Sequence, residues 1–125
     1  MNKFLVVLNA INGILFIAIG LLWVISPYEA GANFGILEIS EGLGRSSLIG
    51  DIGSYFFCIG LMMILAAYTL RNIWFYAPAM LLGVTALFRV ISWAAHDATF
   101  ATQFIIIEII LITLLLVTSK RMSSQ

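Results

Sequence analysis

Four long, predominantly apolar stretches constrain this chain more than any other feature. They cover residues 4–25, 46–70, 73–95 and 100–118. Each is close to the ~20 residues that a helix rising 1.5 Å per residue needs to cross a hydrocarbon layer ~30 Å thick. Inside that layer no water satisfies backbone N–H and C=O groups, so stretches of this length read as helices, bonded within themselves. Composition closes off the soluble alternative. Of the 125 residues 62% are apolar and 10% charged, whereas charged residues make up about a quarter of a soluble domain. The expected fold is therefore all-α: an integral membrane four-helix bundle forming a single transmembrane domain over residues 1–125, with one longer loop between helices one and two.

The first stretch also has signal-peptide features, with Lys3 before it and Ala30-Gly31-Ala32 after it. Its 22 residues exceed the ~7–15 of a signal core, and it is read as a span. Arg71-Asn72 leaves room for a very short turn, which makes spans two and three an antiparallel hairpin. With four crossings, Lys3, Arg71, Lys120 and Arg121 fall on one side, and Glu29, Glu38, Glu41 and Asp97 on the other. The positive-inside rule then puts both termini in the cytoplasm, across what is expected to be a bacterial cytoplasmic (inner) membrane. Trp23, Tyr28 and Trp93 fall at the outer span ends and Tyr68, Trp74 and Tyr76 at the inner ends, as interface anchors do. In the outer loop, Phe34, Ile36, Ile39 and Leu43 oppose Glu38 and Glu41 between Asn33 and Leu43. This pattern suits a short helix on the interface or over the bundle mouth; an irregular loop touching lipid fits equally.

Charges inside the spans cost about 2.5–3.5 kcal/mol each on insertion scales, so they need partners and mark function. Asp51, Arg89 and Glu108 lie on spans two, three and four, at depths of roughly 9, 10 and 13 Å from the outer ends. Arg45 at the outer edge balances them into a neutral set. Helical spacing adds to the cluster: Ser47, Asp51, Ser54, Tyr55 and Cys58 share a face of span two, and Thr85, Arg89, Ser92 and His96 one of span three. Asn9, Asn12, Gly13, Phe16, Gly20 and Trp23 share a face of span one, and Ala101, Phe104, Glu108, Ile112 and Leu115 one of span four. These faces are expected to meet at the bundle centre, with Tyr55 donating to Asp51 one turn away. The candidate polar network, ligand-binding or structural, is thus Arg45, Asp51, Tyr55, Arg89, His96 and Glu108. Arg89 pairing with Glu108 or Asp51 to set helix register, a polar pocket open outward, and an ion path through the bundle all remain open.

Other chemistries find little material. Net charge is zero and no Lys/Arg run resembles a nucleic-acid footprint. One cysteine, Cys58, excludes a disulfide framework, and one histidine without cysteine partners is a poor metal site. Gly42-x-Gly44 and Gly50-x-x-Gly53 lack the strand, Lys and Ser/Thr of a phosphate loop. Gly50, Gly53 and Gly60 instead suit close approach to a neighbouring helix. No cofactor, metal or catalytic residue is expected.

These residues resemble a family of small bacterial four-helix membrane proteins, domain of unknown function forty-three forty-five, and more loosely DoxX-like proteins. The resemblance covers nearly the whole chain and rests on Gly50-Asp51-Ile52-Gly53, Phe88-Arg89, Asp97 and Glu108. Ile49 stands where a basic residue often precedes the Gly-Asp pair, and Ser54 where a second Gly often stands. The family has no established activity, so the resemblance implies a fold and a set of charged positions rather than a chemistry. The function expected is a non-enzymatic membrane protein, either an accessory subunit or a binder of a small amphiphilic ligand. Its expected partners are membrane lipid and a second copy or another membrane protein. The alternatives are a small oligomeric transporter or channel, and a membrane-embedded enzyme acting on a lipid-like substrate.

Overall fold

A computed structural model describes the chain from Asn2 to Ser123. Four of its helical runs are long and apolar enough to cross a membrane: Lys3–Ile25, Leu43–Thr69, Asn72–His96 and Thr102–Met122. These are the four expected spans, and the described residues include no strand. The protein is built as an integral membrane protein.

Span one is helix α1 (Asn2–Ile25), which ends where Pro27 follows. A proline has no N–H for a helix interior but suits the first helical position, so a new short helix α2 (Pro27–Ala32) starts at once. Span two is composite: α3 (Leu43–Ser47), a π-helical turn at Leu48–Gly53, and α4 (Ser54–Thr69). Leu70 and extended Arg71 turn the chain into α5 (Asn72–His96), and a loop at 97–101 leads to α6 (Thr102–Ser123). In sequence order each span packs on the next, and α1 also touches α6, closing the bundle. Lys3, the Arg71 turn, Lys120 and Arg121 share one end, here called the terminal end; the long loop and Asp97 occupy the other, the loop end.

The tightest seam joins α1 to span two. A Cβ on Gly13 would sit 2.8 Å from the Gly60 carbonyl oxygen, and one on Gly20 2.7 Å from that of Gly53. The pairs 13/60 and 20/53 are each seven residues apart on their helices, so the two backbones touch at two levels. Lipid is as apolar as leucine, so helix association here relies on close packing, which small residues permit. Gly50, by contrast, faces nothing within 4 Å. Phe16, Ile59, Met63, Ala66, Phe75, Ala79, Leu82, Leu111 and Leu115 form the core below the seam's midpoint, while Phe4, Ile11, Ile14, Met80 and Ile110 point outward as a lipid-facing coat.

This seam corrects the expected orientation of span two. Ser47, Asp51, Ser54 and Cys58 are exposed, and Tyr55 is half-buried, because Gly53, Ile59, Gly60 and Met63 take the inner face. Close packing against α1 outranks polarity in choosing the buried side. The other three faces match expectation: Asn9, Gly13, Phe16, Gly20 and Trp23 are buried on α1, Glu108 and Leu115 on α6, and the Phe75–Ala79–Leu82 face of α5 continues to half-buried Thr85, Arg89 and Ser92.

The long loop departs from expectation too. No helix forms over 33–42; α2 lies earlier, and Gly35 adopts a left-handed φ of 79° that ends it. The Ile36 N–H then reaches back to the Gly31 carbonyl at 2.8 Å, capping α2. Ile39 is buried with Ala30 over Trp23, which is fully buried rather than an interface anchor, because the loop folds back across it. Tyr28, Trp93, Tyr68 and Tyr76 do remain exposed near the span ends.

Candidate functional site

The folded-back loop delivers Phe34 to the mouth of the bundle. Its ring stacks on Phe104 of α6 (centroids 5.3 Å apart, 17° between planes), lies 5.1 Å from Phe56 of α4 and 6.4 Å from Trp23 of α1. One loop side chain thereby touches three spans. Such tilted and offset aromatic pairs add roughly 0.5–1.5 kcal/mol each beyond burial.

Beneath and beside this plug lies a cavity of about 420 Å³ between spans two and three, lined by Phe34, Ile36, Ile52 and Phe56 with Asp51, Tyr55, Thr85 and Arg89. A smaller space of about 180 Å³ sits between Phe34, Phe104, Arg89 and Glu108. On the other side of Phe34, a third of about 670 Å³ is bounded by Arg89 and residues 99–104. Phe34 and Arg89 border all three. The combination of apolar walls and a few convergent polar groups is that of a small-molecule site.

Arg89 and Glu108 form an ion pair, Nε to Oε2 at 3.2 Å, with the Glu108 side chain 9% exposed and that of Arg89 27%. The guanidinium also lies 4.8 Å from the Phe104 ring centroid, within reach of its electron-rich face. The contact to Glu108 is single, not the bidentate fork that the two groups can make. Glu108 Oε1 is buried without a hydrogen-bond donor among the described residues. The charge pair links α5 to α6, the helices that its members were expected to join.

The other four members of the expected network do not join this ion pair. Tyr55 does not donate to Asp51. Instead its hydroxyl makes a short hydrogen bond with the Thr85 hydroxyl, and both hydroxyls also donate toward the Leu81 carbonyl, Thr85 at 2.8 Å and Tyr55 at 3.4 Å. The bond between the two hydroxyls ties α4 to α5 because Thr85 faces the half-buried tyrosine directly, while Asp51 is on the exposed side of the π turn. Asp51 lines the cavity with Arg89 but forms no ion pair with it. Arg45 is not in the network at all: it donates from Nε to the Ser40 carbonyl (3.1 Å) and from Nη2 to the Tyr28 hydroxyl (2.9 Å). As part of the short α3, it staples the loop to α2 at the loop end. His96 is exposed at the C-terminus of α5, apart from the cavity. Among the described residues no three His, Cys, Asp or Glu side chains gather as metal ligands.

A polar contact that the sequence reading missed lies near the terminal end. Asn9 Nδ2 donates to Thr118 Oγ1 at 2.9 Å, and both residues are fully buried. Ser119 donates to Asn72 Oδ1 at 2.9 Å, joining α6 to α5. The signal was present, since Asn9 falls on the inner face of α1, but Thr118 and Ser119 lie where span four was expected to end in the interface. No family model, curated protein or solved structure matches the chain.

Proposed function

We propose that this is a non-enzymatic membrane protein that binds a small amphiphile in the cavity under Phe34. The observation that carries the reading is the cavity itself: about 420 Å³, within the ~300–1,000 Å³ of small-molecule sites, with an apolar and aromatic lining and polar groups from spans two and three. The folded-back loop supports it, because Phe34 and Ile36 supply part of the apolar wall of that space. Both termini and the Arg71 turn are cytoplasmic in this proposal, which the four basic residues at the terminal end support. The membrane is then a bacterial inner membrane, and the resemblance to the four-helix family is one of architecture and of the Asp51, Arg89 and Glu108 positions. Assembly with a second copy or another membrane protein belongs to the same reading, with no separate site assigned to it. No particular observation favours the transporter or the enzyme.

The test is a titration of the purified protein in nanodiscs with a fluorescent single-chain amphiphile. Saturable one-to-one binding is expected for the native chain, and loss of binding for Ile52→Trp, which fills the cavity from a half-buried wall position. Absence of saturable binding to any amphiphile, or equal binding by a folded Ile52→Trp, overturns the proposal.

A further inference from the structure

Two charged groups on the cavity wall carry hydrogen-bonding capacity that the protein does not use. Arg89 meets Glu108 through Nε alone, and neither Nη atom bonds any described residue. A guanidinium has five N–H donors in a fork that fits phosphate as well as carboxylate, so four of them remain. Asp51 lines the same cavity, and its carboxylate makes no ion pair and accepts no hydrogen bond among the described residues. The apolar Phe34, Ile36, Ile52 and Phe56 line the same cavity, and the Tyr55 ring packs edge-on against Phe56 at 5.1 Å.

This pattern discriminates among headgroups. A purely anionic group would use Arg89 but meet the charges of Asp51 and Glu108. A purely cationic group would use Asp51 and leave the Arg89 donors idle. A group carrying phosphate and amine a few bonds apart uses both, and aromatic faces favour the ammonium end. Helix α5 has 25 residues, about 37 Å against a hydrocarbon core of ~30 Å. Arg89, about 10 Å in from the His96 end, therefore lies roughly 7 Å inside the core, and a headgroup has to enter the bundle to reach it.

We propose that the cavity receives the headgroup of a zwitterionic phospholipid, phosphate on the Arg89 Nη donors and amine on Asp51. The inference rests on the amphiphile-binding reading and names its ligand class. The experiment compares three single-chain amphiphiles with the same acyl chain on the full chain in nanodiscs: a phosphoethanolamine, a phosphoglycerol and a trimethylammonium. The phosphoethanolamine is expected to bind about tenfold tighter than either of the others, the worth of one charge-assisted hydrogen bond. Asp51→Asn, a change at an exposed side chain without an internal partner, is expected to abolish that preference over phosphoglycerol. Arg89→Lys keeps a cation beside Glu108 but loses the fork, and is expected to weaken phosphoethanolamine about tenfold while leaving trimethylammonium binding unchanged. Soluble glycerophosphoethanolamine, which lacks the chain, is expected not to compete; full competition by it overturns the lipid as ligand. Saturable binding with equal affinity for all three headgroups, or a preference that survives Asp51→Asn, overturns the headgroup inference and leaves amphiphile binding standing. Failure of all three to saturate overturns both.

Discussion

Arg89 and Glu108 illustrate how a charge is tolerated at this depth. Glu108 is almost enclosed, and its one described partner is Arg89, so removing the arginine strands a carboxylate in apolar surroundings. Arg89→Leu is expected to lower stability by about 3 kcal/mol, the low end for a broken buried pair because the arginine keeps some exposure. The double variant Arg89→Leu with Glu108→Leu is expected to recover most of that loss. A thermal unfolding cycle in detergent checks both values; additive losses would show that the pair is not coupled. Tyr55→Phe removes one interhelical hydrogen bond to Thr85, and bonds of that kind average only ~0.6 kcal/mol in a membrane. The same unfolding assay is expected to show a loss below 2 kcal/mol. Position and residue type made Arg89 and Glu108 visible in the sequence. The partner of Tyr55 was not visible, because a hydroxyl one helix away outcompeted a carboxylate one turn away, and helical spacing measures only distances along one helix.

At the level of elements, the α1 seam decides how span two is turned. Gly60→Ala places a methyl group against the Gly13 carbonyl and the Ile17 amide, contacts too short to keep, so α1 and α4 must separate. Overpacking of this kind costs about 1–3 kcal/mol. Gly50→Ala, ten residues earlier on the same span, meets open space and is expected to be neutral. Comparing the two variants by thermal midpoint isolates the seam from any general effect of losing glycine; equal midpoints would contradict the packing. The glycines at 53 and 60 were legible as a close-approach stripe. That the stripe would outrank Ser47, Asp51, Ser54 and Cys58 for the inner face was not, since both faces satisfy the same helical period. The loop was misread for a related reason. Its apolar residues are spaced for a helix, but Gly35 and Gly42 at positive φ let them reach the core by irregular backbone instead.

For the whole molecule, the separation of basic and acidic ends yields a topology that chemistry can check. In a Cys58→Ser background, Glu38→Cys is expected to react with a membrane-impermeant maleimide on intact cells. Arg71→Cys is expected to react only after permeabilisation, and the reverse pattern would invert the protein. Both ends are also held by different means. The terminal end has the buried Asn9–Thr118 bond and the apolar core, while the loop end has the Phe34 ring cluster and open cavities. Phe34→Ala is expected to merge the three spaces around that ring and to speed amphiphile exchange more than it lowers stability. Dissociation rates by stopped flow measure the first effect and detergent melting the second; an unchanged rate would remove the plug from the entry path.

The sequence by itself determined the membrane as solvent, the number and approximate limits of the spans, and the sorting of surface charge to opposite ends. Those properties follow from transfer free energies summed along the chain, and a sum needs no tertiary contacts. It also singled out Arg89 and Glu108, because an ionisable residue in an apolar run is costly wherever its helix turns. Tertiary structure alone decided that Asp51 lines a cavity with Arg89 without pairing to it and that Arg45 holds the loop. It also decided that Phe34 closes the mouth of the bundle. Each of these depends on which face one helix turns to another. For span two that face is the one where Gly53 and Gly60 let its backbone approach Gly20 and Gly13 of α1 more closely than a Cβ would allow.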